Sequence, residues 1–418
     1  MPESGNHAVL ESFWEQVTRE GTPLVEPIPG DEKHVLVTFL WRAGEGIRNV
    51  VLISPLRMED EFKKEQLASS QFARLRDTDL WYRTEWLRKD SRFTYLISPN
   101  DALIPSAEVK DWKERKATWQ LDPLNRRHYV SLEWEGGDRT YSVFELPDAP
   151  SRSWAQPQPD VPTGDVQVHR LKSKVLGNER NIYVHTPPKY DPKGGRYPLL
   201  VLFDGGFYRA VIHAPTILDN VQAKGGLPPQ VVVMVGEPSL KDRILDLGCY
   251  PPFNDFLAQE LIPWVHQHYR VTASPANTIV GWVSLGGLAA AFAALQHPAI
   301  FGNVLSQSGY FAWKAGDWDS DTEEGNEAND ADYGWVIRQY VASPQLPLRF
   351  YLDVGLFERP VDLLRSNRHM RDVLQAKGYP VYYREFSGGH DSINAEATLA
   401  DGLLLLAGTK SSSKAARK

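Results

Sequence analysis

The chain has one cysteine, Cys249, in 418 residues. A lone thiol closes no internal disulfide and builds no cysteine-rich metal cage. Basic charge is not in excess either: 46 Lys and Arg stand against 53 Asp and Glu, a formal charge of −7. Binding along a nucleic-acid backbone needs a basic face, so nucleic acid is not an expected partner. No uncharged apolar run approaches the roughly 18 residues that a membrane helix requires. The longest candidate, Leu285 to Leu295, is Ala/Gly-rich and stops at His297-Pro298, so no membrane partner is expected. Residues Met1 to Val17 hold no basic segment followed by an apolar one, and no secretory signal is read there. The expectation is a cytoplasmic protein.

What is present is a globular, aromatic-rich composition, with 42% hydrophobic residues, 24% charged residues and 13 Trp. At roughly 150 residues per domain the length implies two or three domains. Pro147, Pro150, Pro157, Pro159 and Pro162 crowd one stretch, 146–162, where they disfavour both helix and central strand. It reads as an extended linker between a domain at 1–145 and another at 163–409, with a disordered tail at 410–418.

The two halves are patterned differently. After a short helix with Leu10, Phe13, Trp14 and Val17 at helical spacing, the first half turns to short alternating strands. These are His34–Trp41, Val50–Ile53, Leu80–Trp86, Phe93–Ile97, His128–Leu132 and Thr140–Leu146, the pattern of an all-β sandwich. The second half holds apolar runs at Arg196–Asp204, Gln230–Gly236, Asn277–Val283 and Leu348–Val354. Helical stretches follow or separate them: Phe253–Tyr269, Gly286–His297, Pro360–Lys377 and Asn394–Leu406. Strands buried on both faces and alternating with helices predict a parallel α/β sheet, with its site at the carboxyl ends of the strands.

Three segments could carry chemistry there. In Thr278-Ile-Val-Gly-Trp-Val-Ser284-Leu-Gly-Gly, an apolar strand runs into a serine and then a helix start. This is the context of a nucleophile elbow, with the alternative that Ser284 is a plain helix N-cap. The usual elbow has glycine two residues before and two after the serine. Gly286 satisfies the second position, but Trp282 occupies the first, and its indole is expected to crowd the turn or force a local rearrangement. In Glu385-Phe-Ser-Gly-Gly-His390-Asp, an imidazole on a glycyl loop could take the serine's proton. Asp391 reads as a turn or capping residue. The acid orienting His390 should follow Leu348–Val354, and Glu358 is favoured over Asp353 because it lies beyond the strand end. In Leu202-Phe-Asp204-Gly-Gly206, glycines after a buried strand allow close approach of backbone to ligand. The N–H groups of Gly206 and Leu285 would then form an oxyanion hole, with an ordinary glycyl turn as the alternative.

With these pieces in order, the chain resembles the enterochelin esterases, which hydrolyse the trilactone of ferric enterobactin and related catecholate siderophores. In the first half the resemblance rests on Val37-Thr-Phe-Leu-Trp-Arg42, Thr78-Asp-Leu-Trp-Tyr-Arg-Thr84, Tyr95-Leu-Ile-Ser-Pro-Asn100 and Leu121-Asp-Pro-Leu-Asn125. In the second it rests on Leu202-Phe-Asp-Gly205, Asp246-Leu-Gly-Cys249, Glu260-Leu-Ile-Pro-Trp264, Ser284-Leu-Gly-Gly-Leu288, Gly302–Gly309, Gly355-Leu-Phe-Glu358 and Gly388-Gly-His-Asp391. It implies an immunoglobulin-like sandwich followed by an esterase-D-like α/β-hydrolase. The implied nucleophile is Ser284, the base His390 and the acid Glu358. The substrate is then an iron-loaded catecholate siderophore, and catalysis uses no cofactor and no resident metal.

Arg243 matches an arginine of the family pattern and could hold the anionic substrate, or else form an intrachain ion pair. Arg209 is the second candidate cation, and Trp282 would border the substrate. The chain departs from the family at Trp282, at Tyr250 where Asn is usual, and at Ala395-Glu396 where many members have Trp-Arg. Two other readings therefore stand beside the first. One is an esterase for another carboxylic ester, such as an acylated sugar or a phenolic ester. The other is a binder whose activity is lost through Trp282.

Overall fold

A computed structural model describes residues 4–56, 67, 70–76, 78–105, 108–133, 137–314, 334–358 and 362–408. The expected disordered tail lies outside the described residues. The chain forms two compact units. One is Met1–Ala149 together with Ser387–Asp391; the other is Pro150–Phe386 with Ser392–Lys418.

The first unit has two four-stranded antiparallel sheets. One runs in the order β1-β2-β5-β4, with β1 Leu24–Ile28, β2 Asp31–Arg42, β4 Ala73–Arg74 and β5 Leu80–Arg88. The other runs β3-β6-β8-β7, with β3 Val50–Ile53, β6 Arg92–Pro99, β7 His128–Glu133 and β8 Gly137–Glu145. Phe39 of β2 meets Tyr95 and Phe144 of the other sheet at ring distances of 5.0 and 6.0 Å, so the two sheets close on an aromatic core. The Ser4–Glu20 helix packs Trp14 and Val17 against Leu40 and Leu80, which explains the helical spacing of its apolar residues.

The second unit is an eight-stranded sheet in the order β16-β15-β14-β13-β11-β12-β10-β9. The hairpin β9 Asp165–Lys172 and β10 Glu179–Thr186 joins antiparallel at one edge. The rest are parallel: β11 Leu199–Leu202, β12 Val231–Val235, β13 Thr278–Val283, β14 Asn303–Gln307, β15 Arg349–Gly355 and β16 Val381–Phe386. β11 and β12 are buried throughout, as two covered sheet faces require. From β11 the chain goes to β12 on one side and later to β13 on the other. The crevice at the carboxyl ends of β11 and β13 is therefore the topological switch point, where ligands bind in open α/β sheets.

Two readings of the sequence change. The proline-rich stretch is not a free tether. Residues Ser153–Ala155 form a 3-10 turn, and the Asn220 side chain donates to the carbonyls of Trp154 (2.6 Å) and Gln156 (2.9 Å). The division between units falls at Ala149/Pro150, inside the stretch. The last two helices run Asp362–Ala376 and Ser392–Ala407, Pro360 and Val361 lying outside the described residues. Among the described residues no helix is long and apolar enough to cross a membrane.

Candidate active site

Ser284 joins β13 to the Leu285–Gln296 helix with φ 61° and ψ −130°. A positive φ on a non-glycine residue stores about 1–3 kcal/mol of strain, held in place by its surroundings. Here Ser284 N–H donates to the Gln307 carbonyl at 2.9 Å, while its own carbonyl accepts from Tyr310 N at 3.0 Å and Gly287 N at 2.9 Å. The hydroxyl makes no capping hydrogen bond. The plain N-cap reading therefore fails, because a cap stabilises a helix only through that bond.

The indole of Trp282 is accommodated beside this turn, against Gly286. A Cβ built on Gly286 would lie 1.5 Å from Trp282 Cδ1 and 2.0 Å from its Cγ. The ring occupies the space that Gly286 leaves bare, so the two positions remain complementary with the bulk moved to one side. Trp282 is 1% exposed, with ring centroids 4.3 Å from Tyr208 and 5.6 Å from Phe207. A side chain so enclosed supports the turn.

The second turn follows β11, the strand hydrogen-bonded to β13 with Leu202 opposite Gly281. Asp204 takes a left-handed conformation, φ 44° and ψ 55°, and the Gly205–Ala210 helix begins at once. Gly205 is required by close packing, since a Cβ there would lie 2.6 Å from the Met234 carbonyl oxygen. Gly206, by contrast, has only Tyr183 Oη at 4.0 Å beside its missing Cβ. Gly206 and Leu285 both sit in the first turn of a helix, where no intrahelical carbonyl can accept from the N–H. Two such donors at the ends of neighbouring parallel strands are a suitable pair for a developing oxyanion.

Behind the β11 turn lies a buried charge network. Arg243 Nε donates to Asp204 Oδ2 at 2.7 Å, and Arg180 donates to Asp246 Oδ2 at 2.8 Å. Arg243 is 3% exposed. Its charge is matched inside the protein, so the intrachain ion pair, and not substrate binding, is the role the geometry gives it. Glu237, after β12, has its carboxyl pushed up to about 8 by burial and by the nearby charge of Asp204. Arg209 is exposed and lies over the Tyr183 ring at 5.2 Å. Glu396 is 1% exposed and accepts from Arg152 at 2.9 and 3.0 Å, so its charge is also matched.

The two candidate acids differ in surroundings. Asp353 is fully buried within β15, accepts from Tyr351 Oη at 3.0 Å and from Ser308 N at 3.3 Å, and is pushed up to about 7 by burial. Glu358 lies past the strand end; its Oε1 accepts from Gly355 N at 3.0 Å and from the Ser308 hydroxyl. Ser308 follows Gln307, the partner of Ser284 N, so the 307–310 turn links Ser284 and Glu358 at the carboxyl ends of β13 to β15. Ser308 was not singled out from the sequence. Its left-handed φ of 48° has no residue-type signal.

His390 is exposed, on the loop that directly follows β16. That loop, Ser387–Asp391, groups with the first unit, whereas Ser284, Glu358, Gly206 and Leu285 belong to the second. Asp391 N donates to the Gly389 carbonyl at 2.8 Å, which puts His390 at the apex of a tight turn.

Comparison with known proteins identifies the family. Residues 173–406 match the family model described as "Putative esterase", and residues 36–155 match that described as "Enterochelin esterase, N-terminal". The iron(III) enterobactin esterase of Dickeya dadantii is 30% identical over 96% of this chain and 93% of its own. A crystal structure of the enterobactin esterase from Shigella flexneri, in the presence of enterobactin, has a TM-score of 0.71 and 27% identity, covering 95% of this chain and 97% of that one. The ferric enterobactin esterase of Salmonella typhimurium has a TM-score of 0.73 at 26% identity, covering 95% and 98%.

Proposed function

The chain belongs to the enterochelin esterase family, and on that premise we propose that it hydrolyses the ester bonds of an iron-loaded catecholate siderophore of the enterobactin type. It is a carboxylic ester hydrolase. The iron arrives with the substrate as cargo. The cytoplasmic placement and the immunoglobulin-like character of the two-sheet unit are parts of the same proposal.

In this reading Ser284 Oγ attacks the ester carbonyl carbon while His390 takes its proton. The N–H groups of Gly206 and Leu285 meet the charge that develops on the carbonyl oxygen. The C–O bond to the leaving alcohol breaks as His390 returns the proton to it, leaving an acyl-enzyme. Water then attacks the acyl carbon with His390 again as base, releasing the carboxylic acid and restoring Ser284. Glu358 holds the imidazole in the tautomer that accepts at the serine side.

The observation that carries the proposal is the strained, uncapped Ser284 at the switch point, with a helix start on each side of it. Labelling with a fluorophosphonate probe tests it. Labelling of the folded protein that disappears in Ser284→Ala supports the nucleophile; a folded protein that does not label removes it. A panel of esters then tests the substrate. Faster turnover of acylated sugars or phenolic esters than of a catecholate trilactone would move the assignment to another carboxylic ester.

A further inference from the structure

The loop that carries His390 contains Gly388 and Gly389, residues that leave a backbone conformationally free. A general base must instead be held to a fraction of an ångström, because a small misplacement costs catalysis heavily. Three residues of the first unit meet this loop on both sides of the histidine. Before it, Arg92 N donates to the Ser387 carbonyl at 2.9 Å, and the Ser91 and Ser387 hydroxyls pair at 2.7 Å, both fully or nearly fully buried. After it, the Asp391 carboxylate accepts from Thr94 twice, from the hydroxyl at 2.8 Å and from the backbone N–H at 3.2 Å. Ser91 immediately precedes β6, and Arg92 and Thr94 lie in it.

We propose that Asp391 and Thr94 are positioning residues for the hydrolytic reaction: they clamp the glycyl loop to β6 and so fix His390. The proposal rests on His390 being the base. It gives Asp391 a function other than turn or cap. The hydrogen bond to a charged acceptor is of the stronger kind, and two donors from one residue fix direction as well as distance. The pair Ser91–Ser387 holds the other flank, so the two glycines are spanned by anchored ends.

The test compares Thr94→Val, which keeps shape and removes the hydroxyl, with Thr94→Ser, which restores it. The readouts are kcat and KM on a soluble aryl ester, together with the rate of fluorophosphonate labelling of Ser284. The expected result is a fall in kcat of about tenfold to a hundredfold in Thr94→Val. KM should stay unchanged, labelling should slow in parallel, and Thr94→Ser should be close to the wild type. Asp391→Asn, which keeps one acceptor and loses the charge, is measured beside them and covers the case in which Thr94→Val does not fold. His390→Ala separates the two levels of the argument. If His390→Ala is inactive while Thr94→Val and Asp391→Asn turn over like the wild type, the clamp is overturned and the base stands. If His390→Ala keeps its turnover, the base reading fails and the clamp fails with it. A lowered melting temperature with unchanged kcat marks a purely structural contact and also overturns the proposal.

Discussion

Replacing Gly286 by Ala tests whether Trp282 and Gly286 are one packing unit. Gly286 lies in the helix that begins at Leu285. In an open helix this exchange is favourable by about 0.5–1 kcal/mol, since alanine loses less backbone entropy. Here the new Cβ would stand 1.5 Å from Trp282 Cδ1, where carbon atoms need about 3.5–4 Å. A gap of that size exceeds what small adjustments supply, so the ring has to leave its place. It is 1% exposed and enclosed by Tyr208 and Phe207, and no small rotation frees it. The cost is then comparable to deleting a buried aromatic ring, about 3–5 kcal/mol.

Trp282→Ala alone should cost a similar amount through the cavity it leaves. In that background, however, Gly286→Ala meets no ring and should be neutral or stabilising by up to about 1 kcal/mol. The coupling energy between the two sites is therefore expected at about 4 kcal/mol, far above the few tenths seen for independent positions. Urea unfolding of the wild type, the two single variants and the double variant measures it. Additive effects, or a Gly286→Ala protein as stable as the wild type, would refute the packing argument. The same reasoning predicts that Trp282→Gly lowers stability without raising turnover. A gain in turnover would mean that the indole does obstruct the elbow.

The acid assignment separates cleanly: Glu358→Gln should lower kcat by on the order of 10²–10⁴ while Asp353→Asn stays active, because the amide can still pair with Tyr351. A reversed pattern in steady-state kinetics would make Asp353 the orienting acid. Arg243→Met strands the buried Asp204 and should destabilise by about 3–5 kcal/mol in denaturant titration, with kcat falling through the displaced Gly205-Gly206 turn. Loss of substrate affinity alone, at unchanged stability, would restore Arg243 as a binding residue. Glu237 holds its proton in the folded state up to about pH 8, whereas an ordinary glutamate releases it near 4.5. Between those values the native state binds more protons than the unfolded chain, so this group's contribution is full at low pH and is lost as pH rises. Glu237→Gln should therefore gain on the wild type across pH 5–8, by at most about 1.4 kcal/mol per pH unit. Parallel stability curves for the two proteins would show that Glu237 ionises normally.

Much of the architecture was legible because it depends on patterns that sequence carries directly. The mostly apolar runs of β11, β12 and β13 marked a covered parallel sheet, and the Ser284 turn was visible as a strand, a serine and a glycine-rich helix start. The edge hairpin β9–β10 was missed. Its burial is alternating and partial, so it lacks the apolar run that marked the inner strands. β14 was missed as well, since Asn303, Ser306 and Gln307 interrupt its apolar character while being fully buried. Asn303 and Gln307 are explained only by partners distant in sequence: Asn303 Nδ2 donates to the Thr278 carbonyl at 3.0 Å, while Gln307 Nε2 donates to the Ala395 carbonyl at 2.8 Å and its Oε1 accepts from Tyr208 Oη at 2.7 Å. Trp282 was hard to read for a related reason. A rule about one position in a motif assumes its usual neighbour, and here the neighbour's missing side chain had already made room for the ring. The partners of Asp391 were out of reach too, because Thr94 stands 297 positions away.

The formal charge of −7 sets a problem for a substrate that is itself anionic, and the structure relocates that problem. Arginines near the β11 turn do not supply free positive charge: Arg180 and Arg243 are spent on Asp246 and Asp204. What they do is cancel negative charge that would otherwise stand behind the oxyanion donors. Three carboxyl groups face two guanidinium groups there, and burial together with the nearby charge of Asp204 pushes the Glu237 carboxyl up toward its neutral form. Glu396, at a place where many members of the family have Trp-Arg, is paired in the same way with Arg152. The buried acids of these two clusters are thus paired within the protein, and attraction for an anion is left to cations that reach solvent. Of the two arginines first considered for that role, only Arg209 does so, and its guanidinium lies over the Tyr183 ring at 5.2 Å.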